Sequence, residues 1–136
     1  MELNPYLTFN GRCEEALKFY EKHLGGKIER SMTYGQTPMA SQVKPDWQNK
    51  IIHARMTVGG TVLMASDAAP EYYKTPEGIS ISLNIKDPAE ADRVFQALSE
   101  NGTVKMPIQK TFWALRFGSV VDQFGTPWMI NCELPS

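Results

Sequence analysis

Apolar and polar residues alternate most regularly between Ile79 and Lys86, where isoleucine or leucine occupies every second position. Because successive side chains of a strand point to opposite faces, this pattern predicts a strand that is buried on one face. The sequence DPAE at 87–90 then places an aspartate, a proline and a glutamate where a helix start prefers them. Apolar residues recur at helical spacing up to Leu98, which predicts a helix that ends at Asn101-Gly102.

The same order of elements is predicted earlier in the chain. Alternation from Leu3 to Phe9 predicts a strand, and an apolar stripe over residues 14–24 predicts the helix that follows it. Two β-rich stretches, 51–66 and 111–132, are interrupted by turns that contain glycine. Each stretch therefore predicts a hairpin, one in each half of the chain.

Each half has the order strand, helix, strand, hairpin once the weaker strands at 27–34 and 103–106 are included. This internal repeat predicts an α+β fold of two βαβββ modules, whose eight strands form a cupped, mixed sheet with the helices outside. We expect one domain, with module one at about 1–66, a connector at 67–78 and module two at about 79–132. In each module the helix covers one face of the strands, which leaves the other face free to line a cavity.

Residues 35–49 form a long irregular stretch that contains two prolines. Segments of this length without regular structure are uncommon in small domains and are usually either lids over a binding site or flexible insertions. Met39 and Trp47 give the stretch apolar anchors. We therefore predict that it acts as a lid.

The composition excludes several classes of protein. The formal net charge is -1 and no basic run is present, so the electrostatic footprint of a nucleic-acid-binding protein is missing. No apolar stretch reaches membrane-spanning length, and the first residues lack the features of a signal peptide. Cys13 and Cys132 are too few for a disulfide framework. We expect a cytoplasmic protein without nucleic-acid or membrane partners.

Two arginines are the strongest candidates for ligand binding. In the third predicted strand, Arg55 lies with His53 on the face opposite the apolar residues, and the same count places Arg116 on the free face of the second half. Guanidinium groups match carboxylate, phosphate and phosphonate groups bidentately, so this pair favours an anionic ligand. The alternative is that both arginines pair with carboxylates such as Glu71 or Asp122, or reach solvent.

His53 is the candidate catalytic residue, because histidine titrates near neutral pH and suits a general acid or base. The alternative is a hydrogen-bonded structural histidine. Tyr6 and Trp113 are candidates for stacking on a ligand, with a purely structural role in the core as the alternative. Ser80 and Ser82 are candidate ligand-binding hydroxyls, and no base accompanies them in the sequence for nucleophilic chemistry.

Four stretches carry a family resemblance: LNPYLTFNG at 3–11, MTYG at 32–35, TFW at 111–113 followed by Phe117-Gly118, and VDQFGTPWMINC at 121–132. The chain resembles the PhnB-like branch of the vicinal oxygen chelate superfamily, which includes glyoxalase I, bleomycin-resistance proteins and extradiol dioxygenases. The resemblance covers nearly the whole chain. It implies the glyoxalase/bleomycin-resistance fold and a homodimer.

The resemblance also implies four metal-ligand positions, on the first and last strand of each module. Asn4, Met64, Ser80 and Met129 occupy them in this chain. Metal-dependent members have His, Gln or Glu there, and thioethers suit only soft metals. We therefore predict no metal and no cofactor. Some related sequences are called ubiquinone-pathway methyltransferases, but no glycine-rich strand-to-helix turn is present here to hold an adenosyl cofactor.

Three functions remain open. The main prediction is the binding of a small metabolite or drug, with an anionic molecule favoured, on the cupped sheet. The second is enzymatic: a lyase, isomerase or dioxygenase of the superfamily, either metal-dependent or metal-free with His53 acting and Arg55 holding the substrate. The third is a dimer that binds a protein partner and retains only a vestigial pocket.

Overall fold

The computed structural model describes residues 1–135, in two compact units that run from Met1 to Lys74 and from Thr75 onward. The first unit contains β1 (Tyr6–Phe9), α1 (Cys13–Leu24), β2 (Lys27–Thr33), β3 (Ile51–Val58) and β4 (Thr61–Asp67). The second unit contains β5 (Ile81–Asn84), α2 (Pro88–Ser99), β6 (Thr103–Gln109), β7 (Ala114–Val121) and β8 (Pro127–Glu133). None of the helices described here is both long enough and apolar enough to cross a membrane.

Each unit contains one four-stranded mixed sheet. The strand orders are β1-β4-β3-β2 and β5-β8-β7-β6, so the two sheets have the same topology. In each sheet the first and last strands of the unit pair in parallel, and the other neighbours pair antiparallel. The predicted α+β fold of two βαβββ modules is confirmed. The eight strands are divided between two sheets, because each module satisfies its hydrogen-bond ladders with its own strands.

Helix α1 covers one face of the first sheet. It buries Ala16, Leu17 and Tyr20 of the predicted apolar stripe, together with Cys13 at its first position, while Leu24 of the stripe is half-buried. The helix ends at Gly25, whose φ of 71° is the left-handed conformation that glycine adopts without strain. The facing sheet residues are small or apolar and are buried, namely Ala54, Met56, Leu63 and Ala65.

Helix α2 covers one face of the second sheet in the same way. Its start is the predicted cap, in which the Asp87 side chain accepts a hydrogen bond from the Ala89 N–H at 3.2 Å and Pro88 follows directly. The helix buries the predicted stripe of Ala91, Val94, Phe95 and Leu98. Burial of this stripe against the sheet is the main stabilisation that the helix gains, since a helix of this length is marginal alone.

The two parallel edge strands are shorter than the alternation predicts. Strand β1 begins at Tyr6, and Leu3 is 99% exposed instead of buried. Strand β5 begins at Ile81, and Ile79 is 70% exposed. Alternation reports only a compatible pattern, whereas a strand ends where its own hydrogen bonds to the partner strand end. Strand β6 runs beyond the predicted end and includes Pro107, which an edge strand tolerates because one side of its backbone is unpaired.

Buried aspartates organise the chain in both units. Asp122 accepts hydrogen bonds from the backbone N–H groups of Phe124 and Thr126 and from the indole N–H of Trp128, at 2.8 to 3.0 Å. It therefore shapes the turn between β7 and β8. The carboxylate that pairs with Arg116 is Asp92, so Asp122 serves the turn and not the arginine.

Asp67 ties three elements of the first unit together. Its carboxylate accepts from the N–H of Cys13 at the start of α1 and from the N–H of Ile51 at the start of β3, both at 2.9 Å. The hydroxyl of Tyr34 donates to the Asp67 carbonyl at 2.7 Å. Burial raises the pKa of the Asp67 carboxyl above its ordinary value, and the two backbone hydrogen bonds oppose this shift without cancelling it.

The irregular stretch between β2 and β3 has an internal structure of its own. Short 3₁₀ turns occur at Tyr34–Gln36, Ala40–Gln42 and Pro45–Trp47. Its two ends are joined by the hydrogen bond from the Tyr34 N–H to the Lys50 carbonyl at 3.0 Å. The Gln48 side chain donates to the Ala40 carbonyl at 2.6 Å. The stretch is a hydrogen-bonded excursion, and its role as a lid stays a prediction.

Candidate functional site

The open face of the first sheet, opposite α1, carries the candidate residues of the first unit. Along β3, Ala54 and Met56 are buried on the helix side, while His53, Arg55 and Thr57 are half-buried on the other side. This is the separation that the alternation predicts. The open face therefore presents polar and charged side chains from a strand with neighbours on both sides.

The pairing registers place four side chains in one row across this face. Tyr6 of β1 lies opposite Met64 of β4, Met64 lies opposite Arg55 of β3, and Arg55 lies opposite Arg30 of β2. Neighbouring strands are about 4.8 Å apart, so adjacent members of the row are within side-chain reach. We call Tyr6, Met64, Arg55 and Arg30 the arginine row.

Arg30 is a member of this row that the sequence analysis missed. Ile28 pairs with Met56, and the next regular pair is Arg30 with Arg55, so Glu29 is an extra residue in β2. Such a β-bulge changes which face the following residues occupy. With regular pairing Glu29 would lie opposite Arg55. Only the register shift brings the guanidinium of Arg30 to the open face, and no sequence pattern in β2 indicates this shift.

The two arginines of the row have no carboxylate partner. Within residues 1–135, no ion pair or hydrogen bond reaches the side chain of Arg55 or of Arg30. Arg12, Arg93 and Arg116, in contrast, each pair with a carboxylate. Arg55 is also half-buried, where charge interactions are less screened than in open solvent. Two unpaired cations thus lie side by side on this face.

Tyr6 and His53 contact each other beside the row. The Tyr6 hydroxyl and His53 Nδ1 are 3.4 Å apart, and the two ring centroids are 5.9 Å apart. The long hydrogen bond orients the imidazole weakly and leaves Nε2 available for another partner. Met32 lies opposite His53 in the register of β2 and β3. The structure therefore brings together three of the predicted site residues, Tyr6, His53 and Arg55.

Arg116 does not join a free face, and this prediction was wrong. Its guanidinium Nε donates to Asp92 Oδ1 of α2 at 3.0 Å. On the same face of β7, a Cβ added to Gly118 would lie 2.8 Å from Cε2 of Phe95, so this face packs on α2. Counting residues from the turn, as for Arg55, placed Arg116 on the wrong face because the two hairpin turns differ in length. Val58 pairs with Thr61 in the first, whereas Val121 pairs with Pro127 in the second.

The other candidates of the second unit lie at two ends of its open face. Ser82 lies beside Met129 in the parallel register, and Ser80 precedes β5. A groove of about 690 Å³ is lined by Ser80, Met129, Lys105 and Val121, among others. Trp113 lies just before β7, where its ring contacts those of Phe112 and Phe117 at 4.8 and 5.5 Å between centroids.

Comparison with known proteins identifies the family. A family model described as 3-demethylubiquinone-9 3-methyltransferase matches residues 1–131. The chain belongs to this family, as the PhnB-like resemblance predicts. Protein YjdN of Escherichia coli is 36% identical to this PhnB-like chain over 141 residues, which cover 96% of the chain and 95% of YjdN.

Solved structures agree with this assignment. Protein PA1353 from Pseudomonas aeruginosa has a TM-score of 0.88 and 49% identity, covering 98% of each chain. The fosfomycin resistance protein FosX from Listeria monocytogenes, with a TM-score of 0.68 and 9% identity over 98% of this chain and 93% of its own, shares the fold. The predicted glyoxalase/bleomycin-resistance fold is confirmed.

The metal-ligand positions of the superfamily do not fit a divalent ion in this PhnB-like chain. Met64 lies in the arginine row, Asn4 precedes β1, and Ser80 and Met129 line the groove of the second unit. Two thioethers, an amide and a hydroxyl form a poor donor set for hard or borderline cations. Within residues 1–135, no three or more His, Cys, Asp or Glu side chains cluster in a way that could hold a metal.

The methyltransferase description of the family also finds no matching cofactor turn. An adenosyl cofactor is commonly held by a glycine-rich turn between a strand and a helix. In the described chain, the turn from β1 to α1 contains the single glycine Gly11, and the turn from β5 to α2 contains none. The residues of these turns do not fit that cofactor.

Proposed function

We propose that this PhnB-like protein binds a small molecule with an anionic group on the open face of the first sheet. The observation that carries the proposal is the half-buried guanidinium of Arg55, which has no carboxylate partner in residues 1–135 and lies opposite Arg30. Two adjacent cations repel each other, and an anion placed between them removes that repulsion. A bound anion would therefore supply the negative partner that Arg55 and Arg30 lack within residues 1–135.

The geometry favours a planar or tetrahedral oxyanion. Guanidinium groups donate two parallel hydrogen bonds to a carboxylate, phosphate or phosphonate, and such charge-assisted bonds are stronger than neutral ones. Tyr6 lies at the other end of the row and can donate its hydroxyl to a ligand. Met64 separates Tyr6 from Arg55 and offers an adaptable apolar surface for an organic body. The favoured ligand is a small organic anion.

Calorimetric titration with methylphosphonate tests the proposal, with dimethyl methylphosphonate as the uncharged analogue. We expect the anion to bind and the uncharged ester not to bind. Arg55→Gln should weaken binding by about 1.5–3 kcal/mol, the usual contribution of a charge-assisted hydrogen bond. Arg12→Gln is the matched control, because Arg12 already pairs with Glu15 at the surface. Equal binding of anion and ester, or unchanged affinity in Arg55→Gln, would refute the anion site.

A second candidate function is a metal-free reaction on the bound anion. The contact between Tyr6 and His53 favours it, because a hydroxyl at 3.4 Å from Nδ1 occupies that ring nitrogen and leaves Nε2 for proton transfer. His53 would then move a proton at Nε2 while Arg55 holds the substrate. Loss of substrate turnover in His53→Gln, with the affinity for the probe methylphosphonate retained, would support this function. Turnover that persists in the variant would exclude His53 as the acid or base.

We further infer that the protein is a homodimer in the cytoplasm. Large apolar side chains are exposed at Tyr72 and Ile79, at 78% and 70%, and a partner copy would cover such residues. Cys13 and Cys132 are both buried free cysteines, which is usual in a reducing compartment. Light scattering that gives the mass of one 15.3 kDa chain would contradict the dimer. Recovery of the protein in the same cell fraction as a periplasmic marker would contradict the cytoplasmic location.

A further inference from the structure

The open face of the second sheet, opposite α2, carries a row of three side-chain amides and one phenylalanine. Gln109 of β6 lies opposite Phe117 of β7, Phe117 lies opposite Asn131 of β8, and Asn131 lies opposite Asn84 of β5. This row crosses all four strands of the sheet. We call these four residues the amide row. None of its side chains ionises, in contrast to the arginine row of the first sheet.

Aromatic rings stand at one position of the amide row. Phe117 is half-buried, and its ring centroid is 5.5 Å from that of Trp113 at an interplanar angle of 64°. Trp113 is 46% exposed and contacts Phe112 edge to face at 4.8 Å. The arrangement holds the Trp113 ring between two others while much of its surface stays open. An exposed, fixed aromatic surface suits stacking with a flat ligand.

The amides of the row have unused hydrogen-bonding capacity. Asn131 Nδ2 donates to Asn84 Oδ1 at 3.2 Å, which fixes the Asn131 side chain. A side-chain amide has two N–H donors and a carbonyl with two acceptor positions, so Asn131 keeps one donor and its oxygen. Within the described residues no hydrogen bond reaches the Gln109 side chain. Donors and acceptors therefore flank Phe117 on both sides.

Two charged groups of the second unit lie away from Phe117. Arg116 lies on the helix side of β7 and pairs with Asp92. Lys105 lies in the groove at the other end of β6, four residues from Gln109 or about 13 Å along a strand. A ligand over Phe117 would thus contact amides and aromatic rings directly, while Lys86 and Glu133 lie two residues beyond Asn84 and Asn131, about 7 Å along an extended strand.

We propose that the amide row and Trp113 form a second binding subsite, for an uncharged planar group that both donates and accepts hydrogen bonds. A heteroaromatic amide is the chemical class that matches, since its ring stacks on the aromatic rings and its amide pairs with Asn131 or Gln109. The subsite shares no residue with the arginine row, so it goes beyond the anion site and stands or falls separately.

Nitrogen–proton NMR correlation spectra of the full chain provide the test, because they resolve the Trp113 indole N–H and the side-chain amide groups. The probes are nicotinamide, nicotinate and cyclohexanecarboxamide. Nicotinamide should shift the Trp113 and Asn131 side-chain signals in a saturable way. Nicotinate, with the same ring and a carboxylate, and cyclohexanecarboxamide, with the same amide and no aromatic ring, should each shift the Trp113 and Asn131 signals with about tenfold weaker affinity, a difference of about 1.4 kcal/mol.

Variants test the subsite residue by residue. Phe117→Leu and Asn131→Leu should each weaken nicotinamide at least about tenfold, whereas Asn49→Leu, at an exposed asparagine of the first unit, should have no effect. Backbone signals of each variant report whether it is folded. Arg55→Gln should leave nicotinamide binding unchanged, even if the anion site proves wrong. Equal response to all three probes, or shifts confined to signals outside the amide row and Trp113, would overturn the proposal.

Discussion

The charge on Asp67 depends on a balance between burial, which raises its pKa, and backbone hydrogen bonds together with the nearby Lys50 charge, which lower it. The side chain is 2% exposed, and burial raises its pKa above the ordinary value of 3.8. A carboxyl whose pKa is higher in the folded state than in the unfolded state binds protons more tightly when folded. Its contribution to stability is therefore fully present below pH 3.8 and is lost as the pH rises through the raised pKa.

Asp67→Asn should remove this pH dependence, because an amide does not titrate. We expect the free energy of unfolding of the wild type, minus that of the variant, to fall as the pH rises from 3.8 through the raised pKa. The variant should also be less stable throughout, since the side-chain amide would offer one acceptor oxygen to two N–H donors. Urea unfolding at a series of pH values measures the difference. A difference that stays constant or rises with pH would show that the hydrogen bonds outweigh burial.

Residue positions on β3 could be predicted from sequence, while positions on β2 and β7 could not. Arg55 and His53 follow from simple alternation, because β3 is regular on the stretch that carries them. Arg116 was assigned to the wrong face because the two hairpins have turns of different length. Arg30 was missed because an extra residue in β2 shifts the register. Alternation is local, whereas register depends on the partner strand.

At the level of elements, the contact between β7 and α2 depends on Gly118. A Cβ there would lie 2.8 Å from Cε2 of Phe95 and 2.9 Å from the backbone Cα of Ile108. Gly118→Ala should therefore destabilise the protein by about 1–3 kcal/mol, the usual effect of overpacking a core. Thermal or urea unfolding measures this loss. Gly60→Ala is the control, because nothing lies within 4 Å of its added Cβ, and its effect should stay within about 0.5 kcal/mol. Equal stability of the two variants would contradict the tight contact.

The helices were predicted more accurately than the edge strands, for a physical reason. An amphipathic stripe of 12 residues with a cap, as in α2, contains many consistent signals within one segment. The edge strands β1 and β5 have four residues each, and their ends are set by hydrogen bonds to β4 and β8. Leu3 and Ile79 continue the alternating pattern beyond these ladders, so they look buried in sequence and are exposed in the structure.

At the level of the whole molecule, a repeated backbone carries two different surfaces. The open face of the first sheet holds unpaired arginines, and that of the second holds amides and aromatic rings. We therefore expect one methylphosphonate to bind per chain, despite the two similar modules. Calorimetric stoichiometry measures this number. Asp92→Asn is a companion variant, because it removes the carboxylate partner of Arg116. Arg116 lies on the helix side of β7, so the number of methylphosphonate molecules bound per chain should stay at one. Two equivalent sites per chain would contradict this assignment.

The extra residue in β2 has a consequence for the comparison of relatives. In a homologue that kept both Glu29 and Arg30 but paired β2 with β3 without the bulge, Glu29 would lie opposite Arg55 and neutralise it. Arg30 would then lie opposite Ala54, on the face that packs against α1. A shift of one residue in register can therefore reverse the ligand charge that a homologue prefers while every arginine remains aligned. Ligand preference among relatives should be inferred from strand register, and aligned letters alone are an insufficient guide.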